Sequence, residues 1–264
     1  MSLSRIKQRL RHIKNVSIHL TAQNGSQKKI MHLGRQNLLR DLLGLRGIEQ
    51  TFKLSKFDKP FSFTSFNVTD FSLLCDLMIE EEYQRVKKLK NASNIIDIGS
   101  NIGLSIIYFH LLFPNANITG FEPDPVNFRQ LRINAGSLPN VKLYPHVVGD
   151  RCNEVDFYPV PRRGVSSSLI NRNRRHIDSS IRVKQVNLAY IFDKSEDEID
   201  LLKFDVEGAE YIMFKNLKDL HHVKTYIGEL HLDLMGCYID VFCQLFKGYR
   251  VERERISDSR YLFY

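Results

Sequence analysis

The sequence predicts an α/β protein with a mostly parallel, doubly wound sheet, helices on both faces, a β-rich insertion after the third strand and a helical extension at the N-terminus. Three observations predict it. From Asn94 onward, short β-branched runs alternate with segments of helical period, the order that parallel βαβ units produce. The first of these runs, in "NIIDIGSNIGLSIIYFHLLF", stops at an acid and two glycines before a helix begins. A chain of 264 residues with 43% hydrophobic content is also long enough to bury one large core.

The extension comes first. Residues 1–46 hold ten Lys or Arg and a single acid, Asp41, a net charge of +9; the whole chain carries +8, so the remainder sums to −1. That contrast predicts a separate basic element over residues 1–50, followed by one domain over 51–264. Leu3, Ile6, Leu10 and Ile13 recur at three- and four-residue steps between basic residues, as in an amphipathic helix. Such a helix either docks its apolar stripe on the domain, the commoner use, or lies on an anionic membrane or an acidic substrate. No apolar run approaches the roughly 20 residues that cross a bilayer, and "MSLSRIKQRLRHIK" lacks the apolar core of a secretory signal. A cytoplasmic protein is expected, peripheral at the inner membrane surface if the arm meets lipid. Cys75, Cys152, Cys237 and Cys243 form no CxxC pair and are expected to be small buried hydrophobes.

Within the domain, "TFKLSKFDKPFSFTSFN" reads as extended chain and "VTDFSLLCDLMIEEEYQRVKKLKN" as one helix. "NIIDIGS" is then a buried strand, "NIGLSIIYFHLLF" a helix, "NITGFEP" a strand, "PVNFRQLRINAGSL" a helix and "VKLYPHVVG" a third strand. The next helix is missing. In its place "NEVDFYPV", "GVSSSLI" and "IRVKQVNLAYIF" read as strands of an insertion. The alternation resumes with "DLLKFDVE" as strand, "GAEYIMFKNLKDLHH" as helix, "TYIGELH" as strand and "DLMGCYIDVFCQLFKG" as helix, and "YRVERERIS" with "RYLFY" closes the sheet as a hairpin.

In a doubly wound sheet, ligands bind beyond the carboxyl ends of the strands where the strand order reverses. Asp97, Gly99 and Gly103 sit at such a junction, where glycine admits a ligand close to the backbone and the helix N-terminus favours an anion. Glu122 ends the next strand, 25 residues after Asp97, where an acid accepts hydrogen bonds from ribose hydroxyls. A nucleoside-containing cofactor is predicted. A dinucleotide site normally carries G-x-G-x-x-G, but Asn101 stands where its second glycine belongs. S-adenosyl-L-methionine has no pyrophosphate and fits better, its carboxylate facing the helix and its ammonium facing Asp97; NAD, and with it a sugar oxidoreductase, is the alternative.

"DIGSNIGLS", "FPNANITGFEPDPVNFRQLRIN", "GVSSSLI" and "LLKFDVEGAEYIMF" occur in the order and spacing of the FkbM family of S-adenosylmethionine-dependent methyltransferases, which the chain resembles over roughly residues 60–235. The resemblance implies a class I methyltransferase (Rossmann-like) sheet of seven strands and O-methylation of a sugar, glycan or polyketide hydroxyl. It places Asp97, Gly99, Ser100, Asn101, Gly103 and Glu122 in the cofactor site and Asp150 near the adenine.

Methyl transfer from a sulfonium needs in-line placement of an oxygen and removal of its proton. Asp205 and Glu207 at the end of the fourth strand, with Glu229 and His231 at the end of the fifth, are the candidate catalytic groups, since residues two apart on a strand share a face. The same four residues could hold a divalent ion; mixed carboxylate and histidine clusters do not by themselves identify a metal, and none is assigned. They could also merely brace helix starts. The acceptor is expected to be a small molecule or glycan, acidic if the insertion's Arg151, Arg162, Arg163, Arg172, Arg174, Arg175 and Arg182 contact it. "FDVEG" stands where base-modifying enzymes often carry an Asn/Asp-Pro-Pro-aromatic motif, so nucleic acid is not the expected partner. A non-catalytic module binding RNA or lipid through the basic arm is the remaining reading.

Overall fold

A computed structural model describes residues 2–20, 26–159, 180–195 and 197–264. The chain begins with two 17-residue helices, α1 (Leu3–His19) and α2 (Ser26–Leu42). Ser2 caps α1 by accepting a hydrogen bond from the Arg5 N–H. The inner face of α1 carries Ile13 and Val16, both buried in the same core as Ile30 and Leu38 of α2. Gly34 permits this close crossing, because a Cβ there would lie 2.6 Å from Ile13. The basic residues are left on the outer faces, and Leu39, Leu42, Leu43 and Leu45 are exposed beside them.

Next come β1 (Gln50–Lys56) and β2 (Lys59–Ser65), an antiparallel hairpin in a two-stranded sheet of its own. Its turn residues Phe57 and Asp58 both have positive φ, 54° and 57°, the backbone of a tight turn whose twist matches the strands. Alternation puts Phe52, Leu54, Phe61 and Phe63 on the buried side. Helix α3 (Thr69–Met78) packs against α1 and is shorter than expected. Glu81, at φ 53°, breaks it, and a separate 3-10 turn follows at Gln84–Lys88.

The remaining elements are β3 (Asn94–Ile98), α4 (Leu104–Leu112), β4 (Asn117–Phe121), α5 (Pro125–Ala135), β5 (Val141–Tyr144), β6 (Val147–Gly149), β7 (Asn153–Phe157), β8 (Ile181–Asn187), α6 (Leu188–Lys194), β9 (Ile199–Phe204), α7 (Glu210–Phe214), β10 (Val223–His231), α8 (Ile239–Cys243), β11 (Arg253–Arg255) and β12 (Arg260–Phe263). The seven-stranded sheet has the order β11-β12-β10-β9-β3-β4-β5. Its five central and edge strands from β10 to β5 are parallel; β12 runs antiparallel to β10 and to β11. This is the predicted mostly parallel sheet with its closing hairpin, and the order reverses at β3, between β4 and β9.

Successive residues of β3 point to opposite faces and both faces are covered. Ile95 joins α3, α4, α5 and the N-terminal helices, whereas Ile96 and Ile98 join the cluster of Phe204, Phe214, Phe242, Phe246 and Phe263 with α6, α7 and α8.

Four other expectations change. "VKLYPHVVG" is two strands: Pro145 has no N–H to continue the ladder, and β6 pairs instead with β8 in a three-stranded sheet, β6-β8-β7. "NLAYIF" is a helix, not a strand, because the Asn187 side chain caps it by accepting from the Tyr190 N–H. The helices after β9 and β10 are single turns or little more. Of the four cysteines, all free, only Cys75 is buried, and Cys152 is exposed. "GVSSSLI" and Arg162, Arg163, Arg172, Arg174 and Arg175 lie outside the described residues. Arg151 and Arg182 pair with Asp150 and Asp156, respectively.

Candidate active site

The loop from β3 to α4 is built by backbone constraints. Gly99 has φ 75°, and a Cβ on it would lie 1.8 Å from the Asp205 carbonyl oxygen, so only glycine lets β3 and β9 end this close together. The N–H groups of Gly99 and Ser100 both donate to the Phe121 carbonyl, at 2.9 and 3.0 Å. Asn101 follows at φ 48°, and Gly103, at φ 92°, opens α4.

Asp97 lies behind this loop, fully buried. Its Oδ2 accepts from Ser105 Oγ at 2.5 Å, and its Oδ1 is 3.1 Å from Lys203 Nζ, directly across the β3–β9 ladder. Lys203 also donates to the Gly99 carbonyl at 2.6 Å. Burial works against its charge, but Asp97 and Asp205 beside it keep its pKa above the ordinary value. Asp97, the expected partner of a cofactor ammonium, is therefore already matched by a lysine of the protein.

Glu122 is also drawn into the loop. One carboxylate oxygen accepts from the Asn101 N–H and the other from the Asp124 N–H, each at 2.8 Å. Burial pushes its pKa up to about 8 against these two donors. Asp150 stands apart, at the end of β6, bound to Arg151 and to Gln185 Nε2 at 3.2 Å. The Arg151 hydrogen bonds hold its carboxyl below the usual range.

In front of the loop is a cavity of about 200 Å³. It is lined by Gly99, Ser100, Asn101 and Lys203, by Asp205, Glu207 and Glu229, and by Asp76 and Glu82. Asn101 Oδ1 is buried at this wall without a hydrogen-bond partner.

The four catalytic candidates converge. Asp205 and Glu207 follow the end of β9, Glu207 in a left-handed conformation at φ 53° that turns it back toward β10. His231, the last residue of β10, is buried, and its Nε2 lies 3.5 Å from Glu207, 3.7 Å from Glu229 and 4.0 Å from Asp205. Its Nδ1 is 2.8 Å from Glu210 Oε1, which also accepts from the Gly208 N–H at 3.0 Å. Burial lowers the imidazole pKa, but the Glu210 hydrogen bond and the nearby Asp205 outweigh it and bring it up to about 9. Burial, with Asp205 close by, raises the Glu229 pKa, although His231 and Arg260, 3.2 Å away, oppose the shift. Asp205, Glu207 and His231 each offer one atom within 4.8 Å of the others, spacing that could hold a metal ion.

Residues 97–249 match the family described as the Methyltransferase FkbM domain, a span that includes the glycine loop, Lys203, Asp205, Glu207, Glu229 and His231. The chain belongs to the FkbM methyltransferase family. Its expected cofactor is S-adenosyl-L-methionine. Similar proteins include a 2-O-methyltransferase, NoeI, from Sinorhizobium fredii, 32% identical over 44% of this chain and 54% of that one. The methyltransferase sdnD of Sordaria araneosa is 29% identical over 48% and 61%, and a hexuronic acid methyltransferase, AglP, of Haloferax volcanii is 23% identical over 57% and 67%. The chain thus spans between about half and two thirds of the length of these relatives. Among solved structures, a putative transferase from Pyrococcus horikoshii is 14% identical over 97% of this chain and 96% of that one, with a TM-score of 0.41; the fold assignment rests on the sheet order, not on that likeness.

The FkbM cofactor residues read from the sequence are brought together in part. Gly99, Ser100 and Asn101 line the cavity, Gly103 starts the helix beside it, Asp97 and Glu122 brace the loop from behind, and Asp150 is elsewhere. Lys203 and Glu210 were not among the expected residues. Both had a signal: a lysine inside the apolar run "LLKFD" needs a buried partner, and Glu210 is the final acid of "FDVEGAE".

Proposed function

We propose that the protein transfers the methyl group of S-adenosyl-L-methionine to a hydroxyl of a sugar, glycan or related small-molecule acceptor. The observation that carries this reading is the set Asp205, Glu207 and Glu229 lining the same cavity as the glycine loop, with the buried His231 within 3.5–4.0 Å of all three. The loop end of the cavity fits a cofactor bearing an ammonium, since Asn101 Oδ1 is buried there without a hydrogen-bond partner.

When bound, the cofactor supplies an activated methyl group. The protein supplies the rest. The nine-residue helix α4 directs free N–H groups toward a carboxylate at the loop. Lys203 holds the Gly99 carbonyl and so fixes the loop on which the donor rests. The histidine–carboxylate cluster receives the hydroxyl proton as the oxygen attacks, while the wall of apolar Leu73 and Leu77 limits water. The 2-O-methyltransferase and hexuronic acid methyltransferase among the relatives support a sugar hydroxyl as acceptor. Radiolabelled donor incubated with a panel of hexoses, hexuronic acids and oligosaccharides tests it: label in an alkali-stable ether is expected. Label only in protein, nucleic acid or an alkali-labile ester would overturn the hydroxyl assignment.

A further inference from the structure

We infer that Asp205, Glu207 and His231 hold a divalent cation, which binds the acceptor through two neighbouring oxygens. The inference rests on the methyltransferase reading and adds an ion to the same site.

The geometry points to an ion rather than to a hydrogen-bonded base. Ligands held about 2.0–2.6 Å from one ion stand roughly 3–5 Å from each other. His231 Nε2 is 3.5 Å from Glu207 and 4.0 Å from Asp205, long for hydrogen bonds but suited to groups sharing a cation. The histidine is oriented as metal-bound histidines are: its Nδ1 faces a fully buried carboxylate, Glu210, at 2.8 Å, which turns Nε2 toward Glu207 and Asp205, where a bound cation takes the place of the imidazolium proton. Asp205 Oδ1 is buried there with no hydrogen-bond partner.

Charge balance gives the same answer. Asp76, Glu82, Asp205, Glu207 and Glu229 all line a cavity of about 200 Å³. The two cations on its wall are engaged, Lys203 with Asp97 at 3.1 Å and Arg260 with Glu229 at 3.2 Å. The protonated His231 adds one positive charge beside Asp205, Glu207 and Glu229, and a divalent cation in place of its Nε2 proton balances this set of carboxylates further.

Two oxygen ligands and one imidazole suit Mn²⁺-like ions of six-fold coordination, leaving open positions. A vicinal diol, or a hydroxyl beside a carboxylate, fills two of them. The bound hydroxyl loses its proton to Glu229, which lies outside the ligand set. Its oxygen forms the new bond to carbon as the sulfur–carbon bond breaks, and that electron pair leaves with sulfur as a neutral thioether.

The test is titration of chelator-treated full-length protein with Mn²⁺, following the electron paramagnetic resonance signal of free Mn²⁺, with S-adenosylhomocysteine affinity measured by calorimetry on the same samples. One saturable Mn²⁺ equivalent is expected, displaced by excess Mg²⁺. Asp205→Asn and His231→Ala should weaken it at least about tenfold and Glu210→Gln about 10–100-fold, with S-adenosylhomocysteine affinity changed less than about twofold. Asp205, whose side chain is 28% exposed, is the variant to rely on if His231→Ala fails to fold. Normal S-adenosylhomocysteine binding without saturable Mn²⁺ binding, or Mn²⁺ binding unaffected by Asp205→Asn, would overturn the cation site and leave the methyltransferase reading standing. Loss of S-adenosylhomocysteine binding in the wild type would overturn that reading itself.

Discussion

The two ends of the cavity settle their charges differently. At the end of β3, Asp97 has Lys203 and Ser105, Glu122 has two backbone donors, and the loop between them is pinned to Phe121. At the ends of β9 and β10, three carboxylates surround one side of a histidine at 3.5–4.0 Å. The first arrangement is complete before any ligand arrives and serves as scaffold. The second gathers three carboxylates around one histidine, with Arg260 reaching Glu229 alone at 3.2 Å, and clusters of titratable groups with shifted pKa values are where functional chemistry concentrates.

The comparison can be broken first at Asp97. Asp97→Asn leaves the buried Lys203 ammonium without its hydrogen-bonded countercharge and should destabilise the protein by about 3 kcal/mol in urea unfolding. Adding Lys203→Met to it should restore much of that loss, because the unpaired charge goes too. If Asp97→Asn is instead as stable as the wild type, the buried pair is not the scaffold described.

The opposite behaviour is expected across the cavity. Asp205→Asn should change stability by less than about 1 kcal/mol, and His231→Ala should lower turnover by roughly 10²–10⁴-fold while donor affinity holds. Turnover near the wild-type value in both variants would remove this end from the chemistry.

A smaller effect lies at the amino-terminal ends of the same strands. Asp200 accepts from the Ser93 and Asn94 N–H groups at 2.7 and 3.1 Å and from Lys224 at 2.9 Å. Against the upward push of partial burial, Lys224 and these donors hold its pKa below the ordinary 3.8. A depressed carboxylate stabilises the fold above its unfolded pKa, and that contribution is lost as pH falls below about 3.8 through the folded value. Asp200→Asn should flatten this part of the acid limb by less than about 1 kcal/mol, less still in high salt. An acid limb identical in variant and wild type would contradict it.

Much of this was legible in the sequence because the physics is local. The period change at Ser100, the glycines before α4 and the alternation after Asn94 each specify backbone conformation without reference to distant residues. Glu229 and His231, two apart on β10, were readable as one face of a strand. What escaped depended on partners far along the chain. Nothing near Asp97 announces that Lys203 will sit opposite it 106 positions later, nor that Glu210 will meet His231. Helix lengths failed for a related reason: "VTDFSLLCDLMIEEEYQRVKKLKN" has helical composition throughout, yet Glu81 turns left-handed where its carboxylate reaches both Lys56 and Lys87. In "VKLYPHVVG" a single proline moves the second half of a strand into another sheet, a choice made by the pairing partner β8 rather than by propensity.

The most direct test is a calorimetric titration of the wild-type protein and Asp205→Asn with S-adenosylhomocysteine, with NAD as the control. Saturable binding of S-adenosylhomocysteine to both, with near-equal affinity, and no binding of NAD is the predicted result. Binding of NAD, or binding of S-adenosylhomocysteine that disappears in Asp205→Asn, would contradict the division between a donor-holding loop and a separate reacting cluster.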